Sequence, residues 1–241
     1  MTPAGLLYNN PMAVAAIDRM IAAVDLGGDD VALDVGCGAG EVLARVLERH
    51  PCRGIGVDRD PDEIAAADRR LTRVRDRVAL HATDAREFDP GSANVRLAIC
   101  IGATHVYGDP GLAYRRTLET LAKTLTNGGC LLVGEGYWRR PPDPAYLAST
   151  GMGANDFLTH PANVTLAETL DLRPLAVAAA SEADWDHFES CFWRAAEQTL
   201  RDTPNDDTAR ERAEHWRRWR RAYLQWGRET LGFGLYLLQA G

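Results

Sequence analysis

Three glycines and three acids are the residues of this chain whose spacing points to chemistry. The apolar run Val31-Ala32-Leu33-Asp34-Val35 ends in Gly36, and Gly36, Gly38 and Gly40 then precede a helical pattern that begins at Glu41. Glycines let a ligand approach the main chain, and a helix N-terminus favours anionic groups. The dinucleotide fingerprint needs a glycine or alanine at the place Glu41 occupies, and a carboxylate beside a pyrophosphate repels it. The pattern is G-x-G-x-G instead, which disfavours a nicotinamide or flavin dinucleotide and a dehydrogenase reading with it. Asp58 ends the next apolar run, 18 residues after Gly40. That is close to the offset of about 20 at which an acid accepts hydrogen bonds from ribose hydroxyls. Asp84 ends the third run, Leu80-His81-Ala82-Thr83-Asp84. Acids at the C-termini of adjacent parallel strands line one crevice, which suits an adenosine-like ligand carrying no phosphate. A lone glycine loop is often only a tight turn, but here loop, offset and second acid agree.

The elements that must position these residues alternate. Strands are expected at Val31–Val35, Gly54–Val57, Val78–His81, Val95–Ile101, Cys130–Val133, Leu175–Ala180 and Leu231–Leu238. Between them, helical patterns cover Met12–Val24, Glu41–Arg49, Pro61–Val74 (capped by Asp60) and Leu112–Leu125. Two more run over roughly 184–201 and 207–229. Asn10 before Pro11 reads as the start of the first helix and Gly27-Gly28 as its end. Such alternation argues for an α/β fold with a parallel sheet covered by helices on both faces. Arg139-Arg140-Pro141-Pro142-Asp143-Pro144 breaks the pattern. Residues 1–241 read as one domain, with 1–28 as an N-terminal helical lid and 139–170 as a substrate-side insertion.

Composition excludes several classes. Apolar residues make up 46% and charged ones 25%, which rules out wholesale disorder. Lys and Arg number 27 against 34 Asp and Glu, a net charge of −7 that disfavours nucleic acid or an anionic membrane as partner. No run approaches the ~18 apolar residues of a membrane span. Met1-Thr2-Pro3-Ala4-Gly5 has no basic start, so no signal peptide is expected. Five cysteines, Cys37, Cys52, Cys100, Cys130 and Cys191, lack C-x-x-C spacing and read as reduced core residues of a cytoplasmic protein. No metal-ligand spacing is present.

These motifs resemble the class I S-adenosylmethionine-dependent methyltransferases. The match rests on Leu33-Asp34-Val35-Gly36-Cys37-Gly38-Ala39-Gly40, Gly56-Val57-Asp58 and Thr83-Asp84-Ala85. Ile101-Gly102-Ala103-Thr104-His105 and Asn127–Trp138 look like a small-molecule branch of that family, so the resemblance covers about residues 30–140, and more loosely Gly227–Tyr236. It implies a doubly wound, mostly parallel seven-stranded sheet of Rossmann-like type whose last strand, Leu231–Leu238, is antiparallel. The implied cofactor is S-adenosyl-L-methionine, with S-adenosyl-L-homocysteine as product. Gly36, Gly38 and Gly40 would bring main chain against its methionine part, with Asp34 near the amino group. Asp58 would hold the ribose, Arg59 would flank the adenine, and Asp84 with Ala85 would face its exocyclic amine. Ile101 and Gly102 would supply main-chain groups near the sulfonium.

Attack on a sulfonium methyl needs alignment and exclusion of water, and a proton acceptor if the nucleophile is protonated. His105, after the fourth strand, is the candidate base, against a structural hydrogen-bonding role. Glu135, at the end of the fifth strand, is a candidate to bind a cationic substrate group or orient a base, against a structural role. Tyr137, Trp138 and Tyr146 are candidates for an aromatic substrate wall, or for packing of the insertion, and Tyr8 for closure over the ligand. Trp216, Trp219, Tyr223 and Trp226 recur at helical spacing among arginines. Residues 205–229 hold seven arginines against five acids, so the aromatics read as a buried stripe and the arginines as a solvated face rather than an RNA surface. The acceptor is expected to be a small molecule; RNA, protein and a non-catalytic binding role are the alternatives, and spacing sets neither the acceptor nor the oligomeric state.

Overall fold

A computed structural model describes residue 3 and residues 5–241. Met1, Thr2 and Ala4, part of the segment read as lacking a signal peptide, lie outside the described residues. A seven-stranded sheet runs in the order β3-β2-β1-β4-β5-β7-β6. Its strands are β1 (Val31–Val35), β2 (Arg53–Asp58), β3 (Val78–Ala82), β4 (Val95–Ile101), β5 (Cys130–Trp138), β6 (Leu172–Ala179) and β7 (Leu231–Ala240). Strands β1 to β5 pair in parallel, and β7 inserts antiparallel between β5 and β6. The chain therefore has the mostly parallel sheet with an antiparallel last strand.

Side chains alternate across the central strands and feed two cores. Leu97, Ile99 and Leu132 face α1 (Val14–Ala22) and α2 (Glu41–Arg49), meeting Ile17, Ile21, Leu43 and Leu47. Ala98, Cys100, Leu131 and Val133 face the other way, onto Leu118 and Leu121 of α4 (Ala113–Ala122). Helix α3 (Pro61–Arg70) starts where Asp60 accepts from the Asp62 N–H, with Pro61 supplying the fixed φ of a first turn. Helices α7 (Glu182–Asp202) and α8 (Asp207–Ala222) pack together, and Trp216 stacks on Phe192 at 4.8 Å. Tyr223 is buried and Trp216, Trp219 and Trp226 are half-buried, as a stripe facing inward requires. Three of the arginines from this region are paired: Arg210 with Asp207, Arg217 with Glu197, and Arg228 with Asp186. Among the described residues no helix is long and apolar enough to cross a membrane.

Several boundaries differ from the sequence expectation. The first helix starts at Val14, not at Asn10; the Asn10 side chain instead accepts the Met12 N–H at 3.0 Å and caps the preceding turn. The 61–74 helix ends at Arg70 and gives way to a tighter 3-10 segment, Leu71–Arg77, with a kink at Val74. The last helix loosens into a π turn at Tyr223–Gly227, where Gly227 lies so close to Tyr146 that a Cβ would stand 2.9 Å from its hydroxyl. Strand β5 runs five residues beyond Val133 because β7 pairs with it through Trp138, opposite Leu231. Pro174 lies inside edge strand β6, at a register shift, rather than ahead of it.

The Ile99 side chain is fully buried at the centre of the sheet. Ile99→Ala should lower stability by about 2–5 kcal/mol through lost burial and the cavity left behind. Urea unfolding followed by circular dichroism measures it.

Candidate functional site

The parallel strands end on one edge, and the crevice opens there between β1 and β4, where the strand order reverses. Gly36, Gly38 and Gly40 all have positive φ (70°, 51° and 74°), a region side chains rarely adopt. Gly36 matters most: a Cβ on it would stand 2.3 Å from the Ala103 Cβ, so only glycine lets the two loops meet. Gly40 is confined less tightly, with the Ala67 Cβ 3.0 Å from the place a Cβ would take. The Gly36 and Cys37 N–H groups both donate to the Val57 carbonyl, tying the bend to β2.

Three carboxylates stand around this bend in different states. Asp34 is buried and its Oδ2 has no hydrogen-bond partner. Burial pushes its carboxyl up to about 7, the Asp58 charge adds to the rise, and the Leu43 N–H in the first turn of α2 opposes it. Asp58 is pinned: the Gly38 N–H donates to Oδ2 at 2.9 Å and the Asp60 N–H to Oδ1 at 3.0 Å. That leaves each oxygen a lone pair to accept from a ligand. Asp84 is gripped by Arg86, whose Nη2 donates to Oδ2 at 2.5 Å, and this neighbour holds its carboxyl down at about 2. Glu41 turns aside to pair with Arg45 and Arg70.

Asp34, Gly36, Gly38, Asp58 and Asp84 line a cleft of about 960 Å³, together with Arg59, Ala85, Ile101, Gly102, His105 and Tyr8, while Gly40 lies behind it. Tyr8 is buried with its hydroxyl unpaired, and the Arg45 guanidinium lies 5.9 Å from its ring centre. Of residues 1–28, α1 packs in the core, whereas Leu6–Pro11 border the hollows.

A second hollow of about 340 Å³ shares the wall formed by Asn9, Asn10, Gly102 and His105. His105 is exposed on the 3-10 turn Thr104–Tyr107 that follows β4. Glu135 lines this hollow but does not end the fifth strand, as the spacing suggested; it sits mid-strand and buried. Thr104 Oγ1 donates to its Oε2 at 2.5 Å and the Gly136 N–H to its Oε1 at 2.7 Å, while burial pushes its carboxyl above the ordinary range. Tyr137, Trp138 and Tyr146 line neither hollow. Trp138 and Tyr146 form a satellite core with Ala222, and the Trp138 Nε1–H donates to the Ala154 carbonyl. The aromatic lining comes instead from Tyr114, Phe157, Trp185, Phe188 and Phe233. No sequence signal marked those residues as one wall, since they come from three separate elements and the insertion. Asp156, Phe157, Leu158, Asn163 and Leu166 are the insertion's contribution.

Comparison with known proteins agrees with this geometry. Residues 32–129 match the family model described as a methyltransferase domain. The chain is 31% identical over 212 residues to the uncharacterised protein YjhP of Escherichia coli (strain K12), covering 86% of this chain and 84% of that one. An X-ray structure of Escherichia coli YjhP superposes with a TM-score of 0.87 at 28% identity, covering 98% of this chain and 96% of the other. A methyltransferase from Geobacter sulfurreducens, solved with S-adenosyl-L-homocysteine, gives a TM-score of 0.86 at 27% identity, with 99% and 95% covered.

Asp34 provides a test of the site's electrostatics in the ligand-free protein. Because its folded-state pKa lies above the ordinary 3.8, the native state binds more protons than the unfolded chain between about pH 4 and pH 7. Stability should therefore fall as pH rises through that window. Asp34→Asn should be more stable than the unaltered chain above pH 7 by about 1–4 kcal/mol, with the gap shrinking toward pH 4. Urea unfolding across that pH range measures the difference.

Proposed function

This chain belongs to the class I S-adenosylmethionine-dependent methyltransferases, and we propose that it methylates a nucleophilic atom of a small molecule. The cleft fits the cofactor by its own features. Asp34 Oδ2 is a buried acceptor in need of a donor, and the bend at Gly36 keeps main chain bare where a Cβ would clash. Bound S-adenosylmethionine supplies a methyl group on a positively charged sulfur.

The roles proposed for the chain's own residues are those the family resemblance implies, and the chemistry of the cleft is compatible with them. Asp34 accepts from the amino group of the methionine part, which relieves its unpaired burial. The bare main chain of Gly36 and Gly38 admits that part closely, and Ile101 and Gly102 close over it from β4, whereas Gly40, expected to join them, packs against Ala67 and Leu71 and does not line the cleft. Asp58, already oriented by Gly38 and Asp60, accepts from the ribose hydroxyls. Arg59 flanks the adenine, and Asp84 and Ala85 face its amine. Tyr8 closes the cleft from the N-terminal segment. His105 stands on the wall shared by the two hollows, which supports the reading of its imidazole as the group that takes a proton from the acceptor.

The observation that carries the small-molecule reading is the second hollow. At about 340 Å³ and largely apolar, it falls at the lower end of small-molecule pockets. Two of the six arginines of α8, Arg210 and Arg217, pair with neighbouring acids, and the net charge of −7 gives little support to an RNA acceptor.

Transfer of a radiolabelled methyl group across a panel of small metabolites, RNA and protein tests the reading. Counts in a metabolite are the expected result, and counts in RNA or protein alone would contradict it. Asp58→Ala should weaken S-adenosylhomocysteine binding by about 1–3 kcal/mol through lost hydrogen bonds, read by calorimetry. His105→Ala should lower kcat by about 10²-fold or more while cofactor affinity stays unchanged.

A further inference from the structure

The second hollow is built around hydrogen-bond acceptors. Glu135, on β5, keeps one free lone pair on each oxygen after accepting from Thr104 and Gly136. Asn163, on helix α6 (His160–Glu168), is almost fully buried and also lines the hollow, and its Oδ1 has no partner among the described residues. A relay outside the hollow fixes which end of that amide is left over. Tyr236 Oη lies 2.8 Å from His160 Nδ1 and accepts from Asn163 Nδ2 at 3.0 Å. Burial holds His160 below its ordinary pKa, and because the Asn163 Nδ2 end is the one spent on Tyr236, the Asn163 oxygen is the end left over.

The other walls are apolar and aromatic: Phe157, Trp185, Phe188 and Phe233. Four titratable charges or imidazoles line the hollow, namely His105, Arg115, Glu135 and Asp156. Arg115 is exposed and paired with Glu119 at 3.3 Å, and Asp156 is tied to the Gly153 N–H, so Glu135 is the buried charge. A buried carboxylate is costly unless a cation or donor meets it. Aromatic faces beside it favour the same partner through their negative π clouds. Trp185 Nε1, an unpartnered donor, suits an oxygen elsewhere on the ligand.

From these contacts we propose that the second hollow binds the acceptor as an amphipathic amine, its ammonium group anchored on Glu135 and Asn163 and its apolar body held among Phe157, Trp185, Phe188 and Phe233. This rests on the small-molecule reading above and adds the chemical class of the acceptor. Tyr236 and His160 are positioning residues, acting through Asn163.

Calorimetry with the S-adenosylhomocysteine-loaded protein tests it, using three isosteric probes: phenethylamine, 2-phenylethanol and phenylacetate. The amine should bind at least tenfold more tightly than the alcohol, and the carboxylate should bind most weakly. Glu135→Gln should erase the preference for the amine without changing cofactor affinity, whereas Phe188→Ala should weaken amine and alcohol together. The ranking in the unaltered protein stands alone if Glu135→Gln does not fold. Equal binding of the three probes, a preference for the carboxylate, no binding of the amine, or a preference that survives Glu135→Gln would each overturn the proposal. Such results would leave the methyl-transfer reading standing, because that is measured by turnover; retained preference with no turnover on any metabolite would do the reverse.

Discussion

The close approach of Gly36 to Ala103 is the constraint on which the rest depends. It sets how near the loops after β1 and β4 come, and it exists only because a residue with positive φ and no Cβ stands at the end of β1. From that bend, the Gly38 N–H reaches Asp58 on the neighbouring strand and fixes its carboxylate. Asp34 is carried by the same strand into the protein interior, where one oxygen finds nothing to bond. One backbone turn thus converts a sheet edge into a site with an oriented acid and a frustrated one.

The two hollows divide the chemistry. The first is lined by carboxylates held in three different ways: unpaired at Asp34, pinned by main chain at Asp58, neutralised by Arg86 at Asp84. The second is aromatic around a single buried carboxylate. His105 and Gly102 belong to both walls, so the boundary between them is where two ligands would meet. Buried carboxylates without cations are destabilising, which supports the proposal that Asp34 and Glu135 meet a ligand.

Local signals were enough for the frame. The glycine loop, Asp58 and Asp84 are spaced by strand and helix lengths, so their convergence is legible once the alternation is read. Strands β1 and β4 have the bounds their apolar runs suggest. The second hollow was not legible, because Tyr114, Asn163, Trp185 and Phe233 are far apart in sequence and meet only after β7 inserts beside β5. That same pairing prolongs β5 and turns Glu135 from a strand end into a buried mid-strand acid. Tyr137, Trp138 and Tyr146 have the composition of a substrate wall, yet composition cannot tell it from a satellite core, and Trp138 and Tyr146 pack with Ala222.

A crystal structure of the protein soaked with S-adenosyl-L-homocysteine measures the central claim most directly. The account predicts density in the cleft, with the ribose on Asp58, the amino group on Asp34 and main chain at Gly36 in contact. Density for the ligand elsewhere, or a cleft whose bend is filled by side chains, would contradict it.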